Sequence, residues 1–191
     1  CRRPGKKDEM SHYDMNLVYI DALIRHFRHT GDTAAMHRFF PVIKRHLAWE
    51  KLNFDPDGDH LYDAYCCIWA SDALYYSGGA VTHSSAYNRF ANLMAARIAE
   101  IIGEDPAPYR KEAEAIGKAI DSTLWMPDRG HWAEFKDAGG RQRLHPAAAV
   151  WTIYHAIDSE IGDPFQTYAA TCYVDSMIPH IPVLSDSGVD N

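Results

Sequence analysis

Apolar residues recur at helical spacing along most of the chain. Between 14 and 30, Leu17, Ile20, Leu23, Ile24 and Phe27 fall on one face of a 3.6-residue period, and Gly31 follows as a stop. Asp32 or Thr33 can cap a second helix reaching about Leu52, with Met36, Phe39, Phe40, Ile43, Leu47 and Trp49 as its apolar set. Pro41 lies inside that pattern, so the helix either kinks there or is preceded by a short separate piece. The turn between these two segments is very short, which predicts an antiparallel pair.

The pattern resumes after a long interruption. Thr82, Ser84 or Ser85 can cap a helix running to Ile102, with Tyr87, Phe90, Met94, Ile98 and Ile101 as its buried stripe and Gly103 as its stop. The turn EDPAP (104–108) leads to a helix over about 108–124, with Ala113, Ile116, Ile120 and Leu124 inward. PDRG (127–130) is a turn, HWAEFKD (131–137) alternates as a strand does, and AGG (138–140) can turn it back into RQRLH. Two further helices are predicted over about 147–159 and 164–178, Pro164 suiting a first helical turn, before the extended tail IPHIPV (178–183). The expectation is an all-α chain of three antiparallel helical hairpins, with a β-hairpin near 131–144, arranged as part of an α/α toroid or solenoid. Residues 1–183 form one domain in this reading and 184–191 an unstructured end.

The interruption is the chemically dense part. Residues 54–87 are too many for a helix–helix connection, which usually takes about 2–8 residues. They are too aromatic for disorder, holding Tyr62, Tyr65, Trp69, Tyr75, Tyr76 and Tyr87 among Asp55, Asp57, Asp59, Asp63, Asp72 and His83. Long ordered loops on a rigid scaffold carry function more often than connectors do.

Composition narrows the classes. A net charge of −7 leaves no broad phosphate-binding surface, and the local basic run at Arg2, Arg3, Lys6 and Lys7 reads as a solvated end, so no nucleic-acid partner is expected. No apolar run approaches the ~20 residues of a membrane span, and there is no signal peptide pattern. Cys1, Cys66, Cys67 and Cys172 match neither zinc spacing nor a disulfide framework and read as free thiols. The start at Cys1 and the polar end SDSGVDN (185–191) lead to the expectation of a fragment of a longer protein.

Motif chemistry is selective. D55-P-D-G-D59 opens like a calcium loop, but the twelfth position, where a full EF-hand has its bidentate glutamate, is Cys66; it reads as an acidic turn without a metal. His26, His29, His145, His155 and His180 belong to no metal-ligand spacing and read as surface or hydrogen-bonded residues, whereas His83 precedes a helix start within the aromatic stretch. Gly78-Gly79 is a turn signal, and no G-x-S-x-G elbow exists. Carboxylates remain. A glycosidase needs one carboxylic acid to protonate the leaving oxygen and a second carboxylate as nucleophile or base, and the acid needs apolar neighbours to raise its pKa. Asp72 in IWASDALYY has such neighbours; Glu134 in HWAEF is a second candidate, with a surface hairpin position as its alternative. Asp14 is a third, with helix N-capping as its alternative. Trp69, Trp132 and Tyr87 can pack on sugar rings, while Trp125 and Trp151 lie in helical patterns and read as core.

These motifs together resemble six-hairpin (α/α)6 glycosidases, in particular the non-lysosomal glucosylceramidase and β-glucosidase type. The shared order is TGD (30–32), Phe40-Pro41-Val42, F-D-x-D-x-D-x-L (54–61), an aspartate about a dozen residues on, S-A-Y (85–87) and LW-x-P-x-x-G-x-W-x-E-F-x-D (124–137). The segment WTIYHAIDSEIGDPFQTYAATCYVDSMIPHIP (151–182) is similar to an uncharacterised bacterial branch of that superfamily. The resemblance implies a glycoside hydrolase acting on a polysaccharide or oligosaccharide, with Asp72 as general acid and Asp63 as fallback. Those β-glucosidases have T-Y-D where this chain has Ala70-Ser71-Asp72. It implies sugar contacts from Trp69, His83, Tyr87, Trp132 and Asp14, no metal or organic cofactor, and a periplasmic or extracellular location. It also implies that the second catalytic carboxylate lies outside the matched hairpins, so the partner would be the rest of the chain's own barrel. Two other classes stay open: a non-catalytic helical module binding a glycan or a protein, and lyase or epimerase chemistry using His83 with Tyr87.

Overall fold

The computed structural model describes residues 14–64 and 79–180, together with the backbone of two short strands between them. Among the described residues the helices are α1 (Asp14–Thr30), α2 (Thr33–Phe54), α3 (Thr82–Ile102), α4 (Ala107–Leu124), α5 (Val150–Asp158) and α6 (Pro164–Met177). Six two-residue strands pair in antiparallel order: β1 (Cys66–Cys67) with β2 (Leu74–Tyr75), β3 (Trp125–Met126) with β4 (His131–Trp132), and β5 (Phe135–Lys136) with β6 (Leu144–His145). The helical hairpins are those the hydrophobic period predicts, and their arrangement is that of a partial helical toroid.

The helix boundaries have local causes. Asp32 takes the N–H of Ala35 at 2.9 Å and starts α2. Pro41 neither ends nor splits α2, which runs through it to Phe54. Gly103 takes φ 78 at the end of α3, a left-handed position that glycine enters without steric cost. Asp163 and Gln166 form a reciprocal capping box at the start of α6, with Pro164 in its first turn.

The core lies around α3. This helix packs against α1, α2, α4 and α5, so α1, α3 and α5 form one row. Arg25 of α1 crosses that row, its guanidinium lying over the Phe90 ring of α3 and bonding Asp158 of α5 at 2.6 Å. Two apolar clusters result. One gathers Ile24, Phe27, Phe40, Ile43, Phe90 and Met94 between α1, α2 and α3. The other gathers Leu61, Tyr62, Tyr87, Ile116, Leu124, Trp132 and Ile153 at the end of the bundle where the strands sit. One member of the expected α3 stripe falls outside: Ile101 is 55% exposed, because it lies in the last turn, beyond the packed part of the helix.

Candidate functional site

Three connections meet at the strand-bearing end. The backbone of Asp63 bridges Ala80, and the backbone of Val81 bridges Phe135. Val81 N–H donates to the carbonyl of Tyr62, and Thr82 N–H donates to the carbonyl of Glu134. The Thr82 hydroxyl donates to the Ala133 carbonyl at 2.5 Å, and Ser85 Oγ accepts the Tyr62 N–H at 2.8 Å. Residues 61–63, 80–85 and 132–136 are thereby one hydrogen-bonded unit, although each comes from a different part of the chain.

Gly79 makes that meeting possible. A Cβ at this position would lie 1.7 Å from the Lys136 carbonyl oxygen and 2.6 Å from the Ala138 nitrogen. Backbone sits against backbone there, which only glycine permits. The sequence reading of Gly78-Gly79 as a turn signal missed this role. Two glycines before a strand-like segment, with no side chain to pack, are the trace it leaves in the sequence.

The predicted site residues fall into three groups. Asp72 and Trp69, with the Asp14 side chain, lie outside the described residues. Asp63 and Glu134 are both brought to the unit. Asp63 is half-buried, and its carboxyl is pushed up to about 7, first by burial and then by the charges of Asp57, Asp59 and Asp55. Glu134 is not at the surface: it is buried, and its carboxylate accepts from Ala149 N–H at 2.9 Å, Trp151 Nε1–H at 3.3 Å and the Thr152 hydroxyl at 2.6 Å. Those donors surround the N-terminus of α5, where a fixed negative charge is favourable. Trp151 is therefore more than core, since it orients this carboxylate.

His83, Tyr87 and Trp132 form the third group, and all are buried. Trp132 packs edge-on against Trp125 with ring centroids 4.9 Å apart. Trp132 is fully buried, so its ring presents no free face to a pyranose. His83 lies beside His155 at 6.4 Å between centroids, and His155 in turn packs on Tyr87 at 5.3 Å. Of the two positions expected for His155, surface or hydrogen-bonded, the surface one does not hold. It is buried, and burial first, then the fields of His83 and Arg25, push its pKa down to about 2. His26, His29 and His180 are exposed, and His145 pairs with Asp137 at 2.8 Å.

Two polar residues of the core escaped the sequence reading. Glu50 is fully buried in α2, within reach of Asn88 Nδ2 at 3.4 Å and of His46 Nδ1 at 3.9 Å. Burial lowers the pKa of His46 to about 4. The trace was present: Ile43, His46, Leu47, Glu50 and Phe54 follow the helical period, so His46 and Glu50 stand on the apolar face.

Comparison with known proteins places the architecture. No family model matches the chain, and no curated protein matches it. The crystal structure of the GH78 family rhamnosidase of Bacillus sp. GL1 superposes with a TM-score of 0.73 at 18% identity, over 87% of this chain and 18% of that one. A rhamnosidase from Klebsiella oxytoca with rhamnose bound superposes with a TM-score of 0.68 at 18% identity, over 90% of this chain and 32% of that one. The chain thus spans less than a third of the length of either neighbour. Both are glycosidases of a type other than the glucosylceramidases that the motif order resembles, so the finer assignment is not supported. The helical fold of this chain is one that parts of both rhamnosidases share.

Proposed function

We propose that the chain is part of a glycoside hydrolase catalytic domain that cleaves a glycosidic bond in an oligosaccharide or polysaccharide. The observation carrying this reading is the convergence of three loop segments, with Asp63 and Glu134 among them, at one end of a glycosidase-like helical scaffold. Asp72, in the connection that leaves this unit at Asp63 and returns at Ala80, is the general acid of the proposal, with Asp63 as its fallback. Glu134 is the second carboxylate, held in one orientation by its three donors. Trp69 and Asp14 contact the sugar, and His83, Tyr87 and Trp132 shape the wall behind it. The remaining hairpins of the barrel complete the site. The exposed Phe165, Tyr168 and Met177 of α6 suit packing against them.

The chemistry divides by role. A positioned carboxylic acid gives its proton to the leaving oxygen as the glycosidic bond breaks, and a second carboxylate activates water or attacks the anomeric carbon. The test is Asp72→Asn in the full-length protein, assayed with aryl glycosides that include an aryl rhamnoside. Loss of a positioned acid lowers kcat by about 10²–10⁴-fold. Unchanged turnover in Asp72→Asn with a loss in Asp63→Asn moves the role to Asp63. Unchanged turnover in both variants removes the acid from this connection altogether. A full-length protein that binds glycans and hydrolyses none of the panel supports the binding-module reading instead.

A further inference from the structure

At the end of the bundle away from the strands, α1, α2 and α3 enclose a cavity of about 260 Å³. It lies roughly 27 Å from the convergent loop segments, measured along α2 from Met36 to Phe54 at about 1.5 Å per residue, and the proposed hydrolysis does not use it. Its walls are buried side chains: Ile24 and Phe27 from α1, Met36 from α2, and Met94 and Ile98 from α3. Ile101, one turn further along α3, lines the same cavity and is exposed, so it stands at the mouth. Only Gly31 and Asp32 join α1 to α2 beside that opening. Gly31 has no side chain, and a Cβ built on it would meet no atom within 4 Å. The Asp32 side chain is engaged with the Ala35 N–H. An apolar cavity with a few polar groups at its rim holds water poorly and takes small apolar guests.

We infer that this cavity binds a small aromatic acid, with one ring inside and an anionic group at the mouth.

The lining selects the ring. The thioethers of Met36 and Met94 are polarisable and favour contact with aromatic edges, and Phe27 adds a ring of its own. Arg97 folds back along α3 until its Nη1 is 3.9 Å from Met94 Sδ. A guanidinium is thereby set beside the apolar wall, where it attracts the face of a π-system. A saturated guest of the same shape gains burial from these walls but neither of the other contacts. The size agrees, since a dry cavity of about 150 Å³ engineered in another protein accepts benzene, and this one has room for a short substituent besides.

The charge at the mouth selects the acid. Arg28 and Arg97 line the cavity, and no carboxylate does. Arg97 shares its charge with Glu160 at 3.2 Å. Arg28 is exposed and, among the described residues, makes no ion pair or hydrogen bond. Its full positive charge exceeds the half charge that the end of α1 turns toward it.

The test titrates 3-phenylpropanoate into the 191-residue chain by calorimetry and follows thermal unfolding at 5 mM ligand. Saturable binding with Kd on the order of 10⁻⁴ M is expected, with a Tm rise of about 5 °C. The saturated 3-cyclohexylpropanoate and the neutral 3-phenylpropanamide should each bind about fivefold more weakly. Arg28→Ala should bring the acid and the amide within about twofold of each other. Ile101→Asp, which sets a carboxylate at the mouth, should weaken the acid by more than about tenfold. Both positions are exposed, so the ligand-free Tm should stay within about 2 °C of the unsubstituted chain. Equal affinity for the cyclohexyl compound overturns the selection of a ring, and equal affinity for the amide overturns the selection of an acid. Binding that both substitutions leave unchanged is binding elsewhere and overturns the site. So does the absence of any saturable heat and any shift in Tm. None of these readings depends on hydrolysis.

Discussion

Helices α3 and α6 make an instructive pair, because each contradicts its own sequence. The α3 segment THSSAYNRFANLMAARIAEII is rich in hydroxyls, amides and alanine, yet Ser84, Ser85, Asn88 and Asn92 are all buried. The α6 segment PFQTYAATCYVDSM carries larger apolar side chains, yet only Ala170 among them is buried, while Phe165 is 83% exposed. Neighbours make the difference. α3 is surrounded by α1, α2, α4 and α5, and its alanines let them approach closely. Several of its polar groups bond within the helix, as when Asn88 donates to the Ser84 carbonyl at 3.1 Å and Asn92 to the Asn88 carbonyl at 2.9 Å, and others bond neighbouring segments, as Thr82 does Ala133. α6 meets only α5 and the β4 edge among the elements with substantial packing. Composition alone did not decide burial; position in the assembly did.

That contrast can be broken by matched truncations. Phe90→Ala in α3 should cost about 3–5 kcal/mol, because it opens a cavity under Arg25 and among Ile20, Ile24 and Met94. Phe165→Ala in α6 should change stability by less than about 0.5 kcal/mol, because little contact is lost. Chemical denaturation of the two variants measures both. Equal losses would mean that α6 is packed as tightly as α3, and the comparison fails.

The next effect concerns a polar residue on the buried face of α2. His46 ionises near 6.5 in the unfolded chain but only near 4 when folded. Between those values the unfolded state binds more protons, so folding weakens as pH falls through that window and is unaffected by His46 above it. The loss should reach about 3 kcal/mol by pH 4. His46→Gln should flatten this part of the stability-against-pH curve, as read from urea midpoints at pH 4–8. An unchanged curve would show that His46 is solvated.

Thr152→Val probes the α5 side of the same core. It removes the 2.6 Å bond to Glu134 while keeping the shape, and a bond to a charged acceptor is worth about 1.5–3 kcal/mol. A smaller effect belongs to Arg25. Its side chain is 43% exposed and its bridge to Asp158 is open to water. Arg25→Ala should cost about 1 kcal/mol, with part of that recovered in the wild type's own loss when salt is raised. A loss above about 2 kcal/mol would mean that its stacking on Phe90, rather than the ion pair, holds the row together.

The helices were legible because their periodicity is local. Asp32, Gly103 and Pro164 stand where the sequence rules put caps and first turns, and the helices start and stop beside them. Ile101 fitted the period and was still exposed, since a period fixes a face and not the length of the neighbour that covers it. Among the site residues, Asp63 and Glu134 could be named from their neighbours in sequence, but their meeting could not. It depends on the Asp63–Ala80 and Val81–Phe135 bridges, which join segments far apart in the chain. Glu134's three donors come from residues 149–152, and a capping carboxylate from outside the helix leaves no mark at the helix start itself. Glu50 and His46 were the reverse case, written in the period of α2 and passed over because they are polar.

The bridge between Asp63 and Ala80 fixes how far apart the two ends of the intervening connection are, whatever that connection contains. Once the ends of a flexible loop are clamped, its length becomes thermodynamically cheap: doubling it costs only about 0.6 kcal/mol. The clamp therefore works as a socket. The main-chain bonds that hold the two anchors do not depend on which side chains the connection carries, while Gly79, pressed against the Lys136 carbonyl, must stay.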